Sequence, residues 1–470
     1  MNLLRSLAAG VGLAALATSA FAQTPSSEEI AILRAQVQAL SARLEQLEAQ
    51  TQNQVQSQSQ TAASPSAPVV AAASVPTAPA APIVQASSQT SHPSMDWSTG
   101  LPELRSPDGA FTFKPRIRFM ADMSTTTGSD YASRDLTVTE LRALRVGGQG
   151  KIGSGFAYWV EADLTDNAVN VNNAFLSYSR KISGNDLEVS FGQRLNDRGL
   201  EGGTAEDQVP FLERSLMIST LSAQRGAFGL GVTSKLSGDT WHASLSVTGD
   251  AIGDGATNDT VTVMARTHWS PLKSKDGFLH LGAFGFVEDL TALSSIPSRN
   301  IVVDSHVNDN LRLSSGAYAD PKGAHALGLE LGGVRRSGWL LAEGGRRVVE
   351  TASRDFNQDG YTLSAGWFIT GETPPLSTKT GTWQRPKVLH PLGAEGYGAL
   401  EVVGRYDFAD YTDNPTGGEG DAWVLGLNWY PTNNTRVSAH WSAWTLDNRT
   451  GAYTGEDSGS TAMLRVQAGF

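Results

Sequence analysis

Eight basic side chains recur at positions where an extended chain would turn them toward one side of a sheet, and two more, Arg142 and Arg145, stand close together in another segment. Arg116 and Arg118 stand two apart in KPRIRF, and Arg194, Lys235, Arg266, Arg405, Arg436 and Arg465 each fall on the polar face of an alternating segment. Residues i and i+2 of a strand share a face. Arg142 and Arg145 lie three apart and so have opposite parity; a bulge or a strand end must intervene before both face the same way. The chemistry open to such a set is oxyanion binding. A guanidinium donates in pairs from a planar fork and keeps its charge at any physiological pH. The competing role for each is half of a wall ion pair with a neighbour such as Glu161 or Asp163.

Other chemistries find little footing. The chain has no cysteine, which removes disulfides, zinc-thiolate sites and thiol nucleophiles. Eight histidines show no metal-ligand spacing, and no cofactor-binding motif is apparent. DFNQDG (355–360) imitates the start of a calcium loop, but its twelfth place is Gly366 instead of glutamate, so it reads as a turn. A net charge of -11 argues against a nucleic-acid partner.

The cations are positioned by strands. The chain ends in TAMLRVQAGF, where Ala462, Leu464, Val466, Ala468 and Phe470 oppose Met463, Arg465, Gln467 and Gly469. The same two-faced pattern recurs in FTFKPRIRFMAD, TWHASLSVTGD, YTLSAGWFIT and NTRVSAHWSAW. Sixteen such segments start near residues 111, 138, 155, 172, 186, 226, 240, 260, 277, 323, 337, 359, 397, 421, 434 and 460. Short turns (SGND, SGD, RRSG, PTNN) follow even-numbered segments and long polar connections follow odd ones. That rhythm predicts an all-β fold: a 16-stranded antiparallel transmembrane β-barrel over 101–470. A soluble β-sandwich shares the alternation but not the rhythm. A barrel of this size keeps an aqueous lumen, so strand number already points to a channel, with selectivity set by the lumen face. A wall-borne Ser/His/Asp site would have to use the inward His242, His268 or His440, and no such constellation is visible; the reading is not an enzyme. One even connection, 370–396, is long, and reads either as an insertion beside the membrane or as a segment folded into the lumen.

The first hundred residues are of another kind. Residues 1–22 carry one early cation, Arg5, an apolar run over 7–17, and small residues at 20 and 22: a secretory signal cut before Gln23. In 26–50, Ile30, Leu33, Val37, Leu40, Leu44 and Leu47 are spaced 3-4-3-4-3, predicting a short coiled-coil helix. Residues 51–100 form a glutamine-rich and then Ala/Pro/Ser-rich disordered linker. Three of the 36 Lys and Arg and five of the 47 Asp and Glu precede residue 101, so the barrel region is also net acidic. Its acids are expected largely in external loops, at Asp289, Asp304, Asp309, Asp413 and Glu419.

Several stretches together resemble one family, the phosphate-selective porins O and P of Gram-negative outer membranes: ELRALRVGGQGKI (140–152), YWVEADL (158–164), VSFGQRLNDRGLE (189–201) with FLERSL (211–216), GWFITGE (366–372) and GLNWYPTNNTRV (426–437). The resemblance implies a homotrimer of sixteen-stranded barrels in outer-membrane lipid. Each pore would be narrowed by inward loops after the fifth and ninth strands and by an inward turn, matching 195–225, 288–322 and 370–396. It also implies passive traffic of phosphate or a related anion past basic lumen residues. Phe470 resembles the terminal signal read by the barrel assembly machinery. Two positions depart from the family pattern: Ala143 interrupts its Arg-Arg-x-Arg run, and Leu195 stands where a lysine is usual. The reading is therefore an outer-membrane anion porin with a periplasmic N-terminal region. The alternatives are a general or cation-preferring porin, or an envelope tether whose coiled coil reaches toward peptidoglycan with the barrel as its anchor.

Overall fold

Alternation becomes a wall with two solvents. In the last strand Ala462, Leu464 and Val466 are exposed, whereas Thr461, Met463, Arg465 and Gln467 are buried. A computed structural model describes residues 93–470 except 99, 225–226, 250–259, 291–298 and 394. The signal sequence, the coiled-coil helix and the linker up to residue 92 lie outside the described residues.

The barrel strands are β1 (Thr112–Thr127), β2 (Thr137–Ile152), β3 (Phe156–Asp163), β4 (Asn170–Ile182), β5 (Asn185–Leu195), β6 (Phe228–Ser237), β7 (Trp241–Thr248) and β8 (Val261–Trp269). They continue as β9 (Gly277–Asp289), β10 (Pro321–Arg335), β11 (Gly338–Thr351), β12 (Asp355–Phe368), β13 (Ala399–Asp410), β14 (Glu419–Thr432), β15 (Thr435–Asn448) and β16 (Gly455–Gly469). Each pairs antiparallel with the next, and β16 pairs back onto β1 with Arg465 opposite Asp122, which closes the ring. All sixteen lie where the alternating segments predict them. DFNQDG is the exception in detail. It is not a turn but the start of β12, paired with β11 through Arg346 and Asp359, so only residues 352–354 separate those two strands. Its polar letters imitate a loop, yet they alternate: Asn357 and Asp359 face one way, Gln358 and Gly360 the other.

The outer face is an apolar belt that includes Leu245, Leu329, Leu363, Leu425 and Leu464, all exposed. Exposed aromatics gather toward its ends, with Trp269, Trp367 and Tyr397 at the short-turn end and Tyr361 and Trp423 toward the other. This is the arrangement of a bilayer-spanning barrel with interfacial girdles.

Three long connections turn inward instead of outward. The segment after β5, with a short helix α1 (Leu216–Thr220), runs across the lumen. Its Leu200, Val209 and Phe211 pack on Trp339 and Leu341 of β11, Val403 of β13, and Leu376 and Trp383 of the turn after β12. Met217, Ile218 and Leu221 pack on Met264 of β8 and on Phe284 and Phe286 of β9. The connection after β9 forms a small hairpin, Asn300–Val302 with Arg312–Ser314, whose Ile301, Val303, Leu311 and Leu313 meet Ala422 of β14 and Trp444 of β15. Each such apolar side chain contributes roughly 1.5–3 kcal/mol on burial. The wall from β8 to β15 is thereby covered from within, and Asp304, expected outside, is carried in to accept a hydrogen bond from Ser442.

Phe470 completes the ring just beyond β16. Its amide donates to the Ile117 carbonyl of β1 at 2.9 Å, and its ring lies against Gly100. Deleting Phe470 is expected to cut the yield of membrane-inserted barrel while leaving the conductance of inserted molecules unchanged. Heat-modifiable electrophoretic mobility of the outer-membrane fraction measures the first quantity, and single-channel recording the second.

Candidate functional site

With one wall covered, open space remains against the other. A cavity of about 930 Å³ is bounded by β1 to β7, by the segment after β5 and by the turn after β12. Arg116, Arg118, Arg142, Arg145, Arg194 and Lys235 reach it from the strands, Arg198 and Arg214 from the inward segment and Lys379 from the turn. Five carboxylates, Glu161, Asp186, Glu188, Asp197 and Glu206, share the lining.

Backbone geometry explains how Arg142 and Arg145 come together. Met120 pairs with Ala143 and Ala121 with Leu141, so Arg142 is the extra residue of a β-bulge. The bulge resets the parity, and both guanidiniums then meet one carboxylate: Arg142 on one oxygen of Glu206, and Arg145 Nη2 on the other at 3.0 Å. Arg145 Nε also donates to Asp163 at 2.7 Å. Burial alone would raise the Glu206 carboxyl, but Arg142 and Arg145 outweigh it and hold the group below the ordinary glutamate range. Arg118 Nη2 lies 2.7 Å from Asp207, whose other oxygen receives Arg385 at 3.0 Å. Arg116 stacks over Trp159 at 4.3 Å, and Arg194 over Phe175 at 4.7 Å while reaching Glu188 at 2.6 Å. Gly192, just before this end of β5, has φ +131° and would place a Cβ 2.2 Å from the Ala174 carbonyl oxygen, so no side chain fits there.

The other four cations singled out from the sequence face inward without lining this cavity. Arg436 donates to the Val209 carbonyl at 2.7 Å, Arg465 to that of Leu212 at 2.8 Å and Arg405 to that of Glu213 at 2.8 Å. They are staples for the inward segment. Arg465 also holds Asp122 through two contacts of 2.6 Å. Arg266 binds Glu330 at 2.7 and 2.8 Å and Asp197 at 3.0 Å, and donates to the Gly381 carbonyl at 2.6 Å, tying turn to wall.

Arg198, Arg214 and Lys379 were not legible as lining residues, because a loop has no face parity to read. The signal for Arg198 and Arg214 lay in the charge-dense strings NDRGLE and FLERSL, and Lys379 had none. His242, His268 and His280 form a file capped by Asp197 and Glu330, and His268 Nε2 meets the Thr378 carbonyl at 2.9 Å, so these rings brace the turn. His440 sits beside Asn428 at 3.3 Å. Asp122, Glu213 and His306 bring ligand-type atoms within 4.8 Å of one another, but Arg465 occupies Asp122, and His306 occupies Glu213.

Residues 113–470 match the family model described as phosphate-selective porin O and P. The chain belongs to that family. A protein of Caulobacter vibrioides that carries only the description "Uncharacterized protein" is 28% identical over 456 residues, covering 93% of this chain and 88% of its own. Among solved structures, this porin is similar to OmpT, an outer membrane protein of Vibrio cholerae, with TM-score 0.48 and 13% identity over 77% of this chain and 98% of that one. It is also similar to the anion-selective porin from Comamonas acidovorans, with TM-score 0.47 and 11% identity over 77% and 100%. Family and closed barrel together make this porin an outer-membrane channel of a Gram-negative bacterium.

Proposed function

We propose that this porin passes small anions inward by diffusion, phosphate or a related oxyanion among them, along the space between β1–β7 and the inward segment. One observation carries the reading. Among the described residues, nine arginines and lysines against five carboxylates line that cavity, in a chain whose overall charge is -11. Basic linings concentrate anions, and low-dielectric walls focus the field further. The acids of the inward segment support it too, since Asp207 is neutralised by Arg118 and Arg385 instead of facing the passage unpaired. The unit in the membrane is a homotrimer, and the coiled coil and linker extend on the periplasmic side after removal of residues 1–22.

The test is the reversal potential of purified porin in a planar bilayer under a KCl gradient. An anion-selective sign is expected, with chloride current reduced by added phosphate. A cation-selective sign overturns the reading in favour of a general or cation-preferring porin.

A further inference from the structure

Glu206 is held as a bound ligand would be. Its two oxygens are taken by two different guanidiniums, Arg142 and Arg145, at the cavity wall. Arg214 stands in the same lining with its donors turned to the Glu201 and Thr204 carbonyls. The cluster has donor capacity left over. Arg118, whose side chain is 6% exposed, and Arg142 each bury an Nε with no acceptor. Yet Glu206 is not what secures its own segment. The neighbouring Asp207 is fixed by Arg118 and Arg385, its carbonyl accepts from Gln467 at 2.9 Å, and the Val209 carbonyl accepts from Arg436. A carboxylate unnecessary for anchoring, and placed where two forks converge, has the position of a substrate.

We propose that Glu206 is a tethered competitor for the permeating anion, and that an oxyanion crosses the cluster by exchanging with its carboxylate on Arg142 and Arg145. The inference rests on the anion-channel reading and names the step that sets its specificity. A carboxylate and a phosphate both match the paired donors of a guanidinium fork with two oxygens, whereas a halide offers a single acceptor atom and matches it less well. A doubly charged oxyanion can therefore displace Glu206 where chloride cannot. The returning carboxylate then lowers residence at the cluster, so that binding stays weak enough for release.

The experiment compares intact porin with Glu206→Gln and Glu206→Ala in planar bilayers. It records block of chloride current by inorganic phosphate, together with the KCl reversal potential. Both variants are expected to lower the half-blocking phosphate concentration at least tenfold and to move the reversal potential further toward anions. An unchanged, raised or lost phosphate block in both variants overturns the proposal, loss being the mark of a segment that merely fell out of place. A cation-selective intact porin overturns instead the reading beneath it, and the two failures are thus told apart. Circular dichroism of the β-sheet and heat-modifiable mobility establish that each variant is a folded barrel.

Discussion

Replacing Arg465 with leucine is expected to destabilise the folded barrel by roughly 3–5 kcal/mol, the cost of stranding a buried charge when its partner is removed. Arg465 is fully buried on β16 and forms a two-pronged pair with Asp122 on β1, at the seam where the ring closes. Its third contact goes to the Leu212 carbonyl of the inward segment, so one substitution weakens both seam and segment. Thermal loss of the β-sheet circular dichroism signal in detergent measures the first effect. Open-channel current noise measures the second, because a segment with fewer anchors fluctuates on the recording timescale. The double variant Arg465→Leu with Asp122→Leu should recover most of the melting temperature, since an apolar pair of similar volume commonly matches a buried ion pair. It should not recover the quiet current, because the Leu212 carbonyl still lacks its donor. A melting temperature for the single variant equal to that of the parent would show the pair to be energetically idle.

Replacing Arg142 and Arg145 together with glutamine should have the largest effect on selectivity. The pair supplies two of the nine cations of the lining and neutralises Glu206, so the substitution both removes positive charge and exposes a negative one. A fall of roughly tenfold in the anion-to-cation permeability ratio is expected, equivalent to about 1.4 kcal/mol. The lysine pair separates charge from geometry. Arg142→Lys with Arg145→Lys should keep the sign of the reversal potential but weaken phosphate block, because an ammonium is a point charge without the fork. Unchanged permeability ratios in the glutamine pair would reduce both arginines to wall residues. The single variants should each fall short of the double, since the remaining guanidinium still holds one oxygen of Glu206.

Low pH acts on the same contacts with a defined sign. The Glu206 carboxyl, raised by burial and lowered further by Arg142 and Arg145, ends below the ordinary glutamate range. The stabilisation its ion pairs give is therefore full at neutral pH, and it is lost progressively as the pH falls from the ordinary glutamate range to that depressed value. The arrangement at Arg142 and Arg145 thus stays intact across the physiological range.

What the amino-acid sequence determined by itself was the wall. Lipid outside and water inside impose a period of two on every strand, so TAMLRVQAGF and its fifteen counterparts announce their number, their order and which of their residues point inward. The same rule made DFNQDG deceptive, because polar letters on both faces hide the alternation that makes it the beginning of β12. Parity reports a face and nothing more. Whether an inward arginine is open to a passing ion depends on what the chain places opposite it, and here those partners are remote in sequence. Arg465 meets Asp122 across 343 residues, and Arg436 meets the Val209 carbonyl across 227. Ten basic residues of one sequence class were thereby sorted by tertiary structure into six that border the cavity and four that hold its walls and segments in place. The inward segment decided this division, because its apolar side chains fill one half of the lumen and leave the passage to the other.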